Sequence, residues 1–343
     1  MPLDLSITDP AIGALVCACV AMGASAVILW TLLKTGLAWR LATDIPNDRS
    51  LHTRPTPRVG GWGIVPTVVL LIWAIAPTLW MPALAAFALA ILSLVDDRRG
   101  LPARVRFGGH VIAVAVLITL YPADVSWWWL VLVAFLLVWL VNLYNFMDGV
   151  DGLAGGMALF GFGGYAIAAL TSAHPSPSLA LACAAVAGAA AGFLLFNFHP
   201  AKIFLGDAGS IPLGFCAGAF GYWGMRIGVW PIWFPAVIFS PFIGDASVTL
   251  LKRLARGERF WQAHRDHYYQ RMVRSGLGHG RTAWAWYAVM IVGINLALYA
   301  LGRTATFQWC AVAAWIVILC VMGLAVDLRW RRFRSTLSEQ SEV

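Results

Sequence analysis

Uninterrupted apolar runs of about 15 to 26 residues recur along the whole chain, separated by short polar links, and this pattern leaves few folds open. A helix of about 20 apolar residues crosses a hydrocarbon core of roughly 30 Å. Backbone facing lipid must satisfy its own hydrogen bonds, which helices do internally. Composition agrees: 60% of the 343 residues are hydrophobic and 12% charged, where a soluble domain has about a quarter charged. Mean hydropathy is +0.76. The pattern predicts an all-α, polytopic integral membrane protein. About eleven transmembrane helices are expected, near 11–34, 62–80, 82–95, 107–121, 127–147, 153–170, 178–197, 209–225, 231–251, 282–302 and 308–327.

Lys and Arg are retained on the cytoplasmic side. With the N-terminus outside (periplasmic), all 24 Lys and Arg except Arg226 and Arg303 fall in inner segments, and the C-terminus is cytoplasmic. The net charge of +8 then follows from topology and anionic lipid, and gives no reason to invoke nucleic acid. Asp4 and Asp9 precede the first run without any basic residue, so a cleaved signal peptide is not expected. The six cysteines (Cys17, Cys19, Cys183, Cys216, Cys310, Cys320) all lie in expected spans and read as small core residues. One membrane-embedded domain is expected over 1–343. It carries a cytoplasmic basic and aromatic loop at 252–281 and a tail at 329–343, a basic anchor with a disordered end.

Within this apolar background the carboxylates need explaining, since one held at the centre of a span costs roughly 2.5–3.5 kcal/mol. The stretch NLYNFMDGVDGLAGG (142–156) carries Asn142, Asn145, Asp148 and Asp151 every three residues. Each step of three drifts by about 60° on a helix, so Asn145 to Asp151 share a broad face while Asn142 points away. The glycines suit a tight connection between two spans. Asp96 and Asp97, in LSLVDDRRGL, oppose the helix dipole at their C-terminal position, which favours a metal or polar partner; adjacent residues cannot both aim into one site.

After Pro200, the segment AKIFLGDAGS brings Lys202, Asp207 and Ser210 into one short link. Asp207 either caps the next span or offers oxygen to a hard cation. Asp245 either pairs with Ser240 or Thr249 or joins the site. In the 252–281 loop, Phe260, Trp261, Tyr268 and Tyr269 interleave with basic residues, as in an interfacial segment. His264 and His267 lack further ligands at zinc spacing, so contact with a phosphorylated substrate is the better reading. Arg54 or Arg58, in the Pro-rich link DIPNDRSLHTRPTPRVGGWG, either marks a positive-inside loop or faces phosphate.

Under one topology Asp96, Asp97, Asp148, Asp151, Asp207 and Asp245 all fall at or near cytoplasmic span ends. Each close anion pair costs about 4 kcal/mol at an effective dielectric near 20, so a divalent cation is expected among them. Oxygen-only ligands suit Mg²⁺, with Mn²⁺ an alternative. With Arg58, Lys202, His264, Arg265 and His267 nearby, the reaction class is phosphoryl transfer at a membrane face.

The set VDDRRGL, NLYNFMDGVDGLAGG, NFHPAKIFLGDAGS and HRDH resembles the polyprenyl-phosphate N-acetylhexosamine-1-phosphate transferase superfamily, glycosyltransferase family 4, over nearly the whole chain. The resemblance implies transfer of a sugar 1-phosphate from a UDP-N-acetyl sugar to undecaprenyl phosphate with release of UMP. The site would face the cytoplasm at a bacterial inner membrane. It implies Asp207 as principal Mg²⁺ ligand, with Asp96 and Asp97 serving the acceptor phosphate or the metal. Asn145, Asp148 and Asp151 would shape the nucleotide-sugar site, and Lys202, His264 and His267 would meet phosphate or nucleotide. Asp96 is the expected base; a covalent aspartyl-phosphate intermediate and a homodimer stay open. The chain has DDRRG without a third acid, and HRDHYYQ in place of a triple-histidine run. Both departures favour the branch that initiates O-antigen or other cell-surface polysaccharide over the pentapeptide branch, with GlcNAc, QuiNAc or FucNAc as sugar. A cation-coupled transporter or lipid carrier is the rival; it predicts midplane charges and an internal repeat, neither of which is visible.

Overall fold

The computed structural model describes residues 9–46, 51–259, 262 and 264–341; Asp4, Arg49, Phe260 and Trp261 lie outside the described residues. In order, the helices are α1 (Pro10–Lys34), α2 (Leu37–Leu41), α3 (Gly60–Ile75), α4 (Trp80–Arg99), α5 (Ala103–Leu120), α6 (Trp127–Phe146) and α7 (Leu153–Thr171). They continue with α8 (Pro177–Asn197), α9 (Asp207–Arg226), α10 (Trp233–Ile238), α11 (Ser240–Ala255), α12 (Tyr268–Met272), α13 (Gly278–Leu301) and α14 (Ala305–Ser341). Two-residue strands β1 (Thr43–Asp44) and β2 (Thr56–Pro57) pair antiparallel between α2 and α3. The protein is an all-α polytopic membrane protein. Among the described residues, eight helical stretches are long and apolar enough to cross a bilayer, and α3 is a shorter apolar helix.

One expected span and the tail change form. The run 231–251 is broken into α10 and α11 at Phe239, just before Pro241, which cannot donate to the preceding turn. The chain end does not dissolve after the last span: α14 stays helical to Ser341, and Arg329 donates from Nε to Ser275 Oγ (2.9 Å) and from its terminal nitrogen to the Ser275 carbonyl (2.7 Å).

Helices α7 and α8 form the centre, with 72% of their most apolar stretch buried, whereas α14 buries 11% and faces lipid along most of its length. Small residues set the close packing. A Cβ on Gly188 or Gly192 of α8 would meet the backbone of α1 at Ala18 or Met22, so glycine four residues apart lets the two helices touch. The cysteines divide: Cys17, Cys183 and Cys216 are buried, as expected, but Cys19, Cys310 and Cys320 are exposed on outer helix faces. Lipid is as apolar as the core, so a lone thiol fits either place.

The polar groups sort to the two ends. At one end the Tyr222 hydroxyl donates to the Tyr121 carbonyl (2.7 Å), Arg226 Nε donates to the Pro122 carbonyl (3.1 Å), and Trp233 Nε1 donates to Gln308 (3.1 Å). The other end collects β1, β2, the α4–α5, α6–α7 and α8–α9 links, and α12.

Candidate active site

Backbone pairing builds the floor of the site. The Pro57 carbonyl accepts from Phe204 N (2.8 Å), Gly60 N donates to the Phe204 carbonyl (2.9 Å) and Gly61 N to the Leu205 carbonyl (3.0 Å). This ties the link before α3 to the link before α9 and sets Arg58 beside Asp207. The approach requires glycine: a Cβ on Gly61 would fall on the backbone of Ala208 and Gly209. Gly206, which precedes Asp207, has φ 71°, a left-handed value open mainly to glycine.

Asp207 is the first residue of α9, and Gly206 takes the N-cap position without any side-chain cap. Its Oδ1 accepts from Asn145 Nδ2 (2.9 Å), which also reaches Ser210 Oγ (2.8 Å). Asn145 thus positions Asp207 across 62 residues of sequence. Asp148 lies in the α6–α7 link within electrostatic reach of Asp207, Arg58 and Asp44. Burial, then the Asp207 carboxylate, push its carboxyl up to about 7, against the Gly206 amide and Arg58. Asp97 faces the same group, with Arg58 donating to its Oδ1 at 3.3 Å and Asp207 close by. Arg58 Nε is buried 3.9 Å from Asp44 and its terminal nitrogen reaches Asp97, so this guanidinium is held between two acids.

Asp97 and Asp148 thus each lie within electrostatic reach of Asp207 and Arg58. Among the described residues, the group whose ligand atoms already lie within 4.8 Å of one another is instead Asp151, His199 and His279. Asp97, Asp148 and Asp207 would have to draw closer to share one ion. Their donor set is oxygen only, which suits a hard divalent cation. Asp96 turns elsewhere, as adjacent helical residues must. Its Oδ1 accepts from Leu101 N (2.7 Å) and its Oδ2 from Arg106 (2.8 Å), closing the turn from α4 to α5.

Asp151 belongs to a neighbouring cluster. Its Oδ2 meets His199 Nδ1 (2.6 Å) and the Ala201 amide (3.2 Å), and its Oδ1 lies 3.3 Å from His279 Nδ1. Burial alone would raise this carboxyl, but hydrogen bonds from His279, His199 and Ala201 outweigh it and hold the group below its ordinary range. The motif reading missed both histidines. His199 was visible in NFHPAK beside Asp207, but His279 lies 128 residues from Asp151 and carries no local signal.

Asn142, set apart from that face, donates to the Val138 carbonyl of its own helix (2.7 Å). Lys202 is exposed at the rim, its amide bonded to the Phe196 carbonyl (2.7 Å).

The 264–267 loop departs from its expected role as a set of cations. His267 is buried and its Nδ1 lies 3.2 Å from Asp245. Asp245 also accepts from the amides of Tyr268 (2.8 Å) and Tyr269 (3.0 Å) and from Thr249 (3.2 Å), so it anchors the start of α12. Of the two partners expected for Asp245, Thr249 is present, while Ser240 is bonded to Trp315 (2.7 Å). Burial, then His267 and Arg253, push His264 down to about 4, so it is neutral at physiological pH and cannot serve as a cation there. The Arg265 carbonyl accepts from Arg274 (3.2 Å). The loop reaches the acidic cleft through Phe146 at the end of α6: His267 stacks on its ring at 6.4 Å, and the Tyr269 hydroxyl donates to its carbonyl (2.9 Å).

Comparison with known proteins bears on this arrangement. The glycosyl transferase family 4 model matches residues 79–225. A decaprenyl-phosphate N-acetylglucosaminephosphotransferase of Mycobacterium tuberculosis (strain ATCC 25618 / H37Rv) is 30% identical over 344 residues, covering 81% of this chain and 82% of the relative. The chain belongs to glycosyl transferase family 4. A second relative of this family 4 glycosyl transferase is a probable undecaprenyl-phosphate N-acetylglucosaminyl 1-phosphate transferase of Bacillus subtilis (strain 168). It is 26% identical and covers 88% of this chain and 89% of the relative. A phospho-N-acetylmuramoyl-pentapeptide-transferase of Geobacillus kaustophilus (strain HTA426) is 33% identical over 196 residues, covering only 46% of this chain and 58% of the relative. The family match contains Asp97, Asn145, Asp148, Asp151 and Asp207; Arg58 and the 264–267 loop lie outside it.

Proposed function

We propose that this protein transfers an N-acetylhexosamine 1-phosphate from a UDP-sugar to a polyprenyl phosphate, undecaprenyl phosphate in the first instance, and releases UMP. The observation that carries the reading is the convergence of Asp97, Asp148 and Asp207 around Arg58 at one end of a membrane bundle. An oxygen of the acceptor phosphate attacks the sugar-bearing phosphorus, the bond to the bridging oxygen breaks, and UMP leaves with that oxygen. GlcNAc is the preferred donor sugar, because the relatives named for it match along most of their length while the pentapeptide transferase matches over about half.

Asp207, Asp148 and Asp97 would hold Mg²⁺ or Mn²⁺. When bound, the cation neutralises diphosphate charge and the charge developing on the leaving group. Asn145 fixes the Asp207 carboxylate. Arg58 would turn its guanidinium from Asp44 and Asp97 to phosphate, and Lys202 adds charge at the rim. Asp96, whose two oxygens hold the Leu101 amide and Arg106, would fix the α4–α5 turn that carries Asp97 and would not itself act on the acceptor phosphate. Asp151 shapes the nucleotide-sugar side through His199 and His279, while Arg265, His264 and His267 line the facing loop as polar contacts.

The wider setting belongs to the same reading. One membrane domain spans 1–343, with eleven crossings, the N-terminus periplasmic, the C-terminus cytoplasmic and the acidic cleft at the cytoplasmic face of a bacterial inner membrane. The product would start O-antigen or another cell-surface polysaccharide. Purified protein incubated with Mg²⁺, undecaprenyl phosphate and a panel of UDP-N-acetyl sugars should release UMP, most with UDP-GlcNAc. Intact protein giving no UMP with any donor refutes the reading.

A further inference from the structure

A second polar cavity, of about 480 Å³, lies between the end of α11, α12 and the far end of α14, and includes none of the acids of the cleft. Lys252, Arg256, Arg271, Arg331 and Arg334 line it, with Glu258, Asp266 and Asp327. Each of these acids already serves two cations. Asp327 meets Lys252 (2.5 Å) and Arg271 (2.8 Å), and Asp266 and Glu258 are shared by Arg253 and Arg256. The lining therefore holds five cations against three acids. Arg271, with a side chain only 7% exposed, has its Nε buried and without a hydrogen-bond partner. The cavity is therefore built for an anion.

Its depth identifies the anion. From Ala305 to Val326, α14 has no charged residue, which is enough helix to cross roughly 30 Å of hydrocarbon. Asp327 marks where the helix leaves it. Trp330, with Arg274 4.9 Å over its ring, sits where aromatic side chains meet the headgroup layer. Below the cavity, Val317, Val321, Leu324 and Leu328 are exposed at spacings of four, three and four, one helix face that Arg331 continues into the cavity.

We propose that this cavity binds the phosphate headgroup of an anionic phospholipid, whose acyl chains lie along the Val317–Leu328 face. Basic pockets between helices at the cytoplasmic surface recognise such headgroups, and each cation near the surface is worth enough that losing two weakens binding about tenfold or more. A free phosphate would use the cations alone; the apolar face beneath them selects the lipid.

The full-length protein, delipidated and placed in nanodiscs of phosphatidylcholine doped with phosphatidylglycerol, tests this by native mass spectrometry of the lipid it retains. Phosphatidylglycerol should be retained over phosphatidylcholine. The exposed double variant Arg331→Ala/Arg334→Ala should lose that preference about tenfold or more. Leu324→Ser should weaken retention with every cation in place, and Arg98→Ala/Arg99→Ala, on another exposed turn at the same end, should leave it intact. Equal retention by the Arg331/Arg334 variant and wild type overturns the proposal, as does equal loss in the Arg98/Arg99 variant. Displacement of the lipid by millimolar inorganic phosphate assigns the cavity to free phosphate. Dissociation of a dimer in the Arg331/Arg334 variant without lipid loss assigns it to a second copy; both results overturn the lipid assignment.

Discussion

Asp207 is fixed by one amide from a distant helix and begins α9 beside a glycine whose backbone no other residue adopts readily. Replacing one carboxylate oxygen by an amide keeps the shape and removes the charge. Asp207→Asn should lower kcat/KM for UMP release at least about 100-fold, some 2.7 kcal/mol of transition-state stabilisation, while the variant stays folded. Unchanged turnover at limiting Mg²⁺ would remove Asp207 from the ligand set. Asp151 gives a different signature, because its carboxyl is held below its ordinary range by His279, His199 and the Ala201 amide. A group with a depressed folded value stabilises the fold above its unfolded value, about 3.9, and loses that contribution as pH falls through the folded one. Asp151→Asn should therefore be less stable than wild type at pH 7 by about 1–3 kcal/mol and melt earlier, and the gap should narrow near pH 3. A gap independent of pH would mean that the charge is not what Asp151 contributes. The carboxylates were legible in sequence because charge in an apolar run stands out. The partners were not: Asn145 binding Asp207, or His279 meeting Asp151, depends on helix ends that come together only in the fold.

Between elements, the critical approach is that of α3 to α9. The link before α3 hydrogen-bonds with residues 204 and 205, and the Cα of Gly61 lies against the backbone of Ala208 and Gly209. Backbone cannot yield as a flexible side chain can, so Gly61→Ala must move one helix start, at about 1–3 kcal/mol. Because Asp207 opens α9, the same shift displaces the acidic cleft. Gly61→Ala should lose at least about tenfold in UMP release and melt earlier, whereas Gly108→Ala, which meets open space in α5, should match or exceed wild-type stability. Equal activity of both variants would separate the α3–α9 contact from the site. The paired glycines Gly60 and Gly61 read in sequence as loop residues unable to continue a helix, but they open α3, and their close contact with α9 carries no sequence signal. The division of the 231–251 run into α10 and α11 was missed for a related reason: its hydropathy is continuous, and only Pro241 marked the break. Length and apolarity located the helices well because a bilayer enforces both, whereas the bend between α10 and α11 answers to packing.

For the whole molecule, polar groups sort to two ends, and the proposed topology turns the acidic end to the cytoplasm on the distribution of Lys and Arg. All Lys and Arg except Arg226 and Arg303 lie in segments assigned inside. The geometry agrees internally: Arg226 reaches the Pro122 carbonyl, so the 122–126 link shares an end with one of the two outer arginines, and the acidic cleft occupies the opposite end with Arg58 and Arg106. The test needs one position at each end. Ser126 and Ala103 are exposed, flank helices α6 and α5, and make no side-chain cap bonds there. With the six native cysteines replaced, Ser126→Cys should react with a membrane-impermeant maleimide added to intact spheroplasts. Ala103→Cys should react only after the membrane is opened, since the positive charge of Arg98, Arg99, Arg104 and Arg106 holds that link inside. The reverse pattern would turn the acidic cleft toward the periplasm, where no UDP-sugar is made, and would overturn the proposed reaction together with the topology.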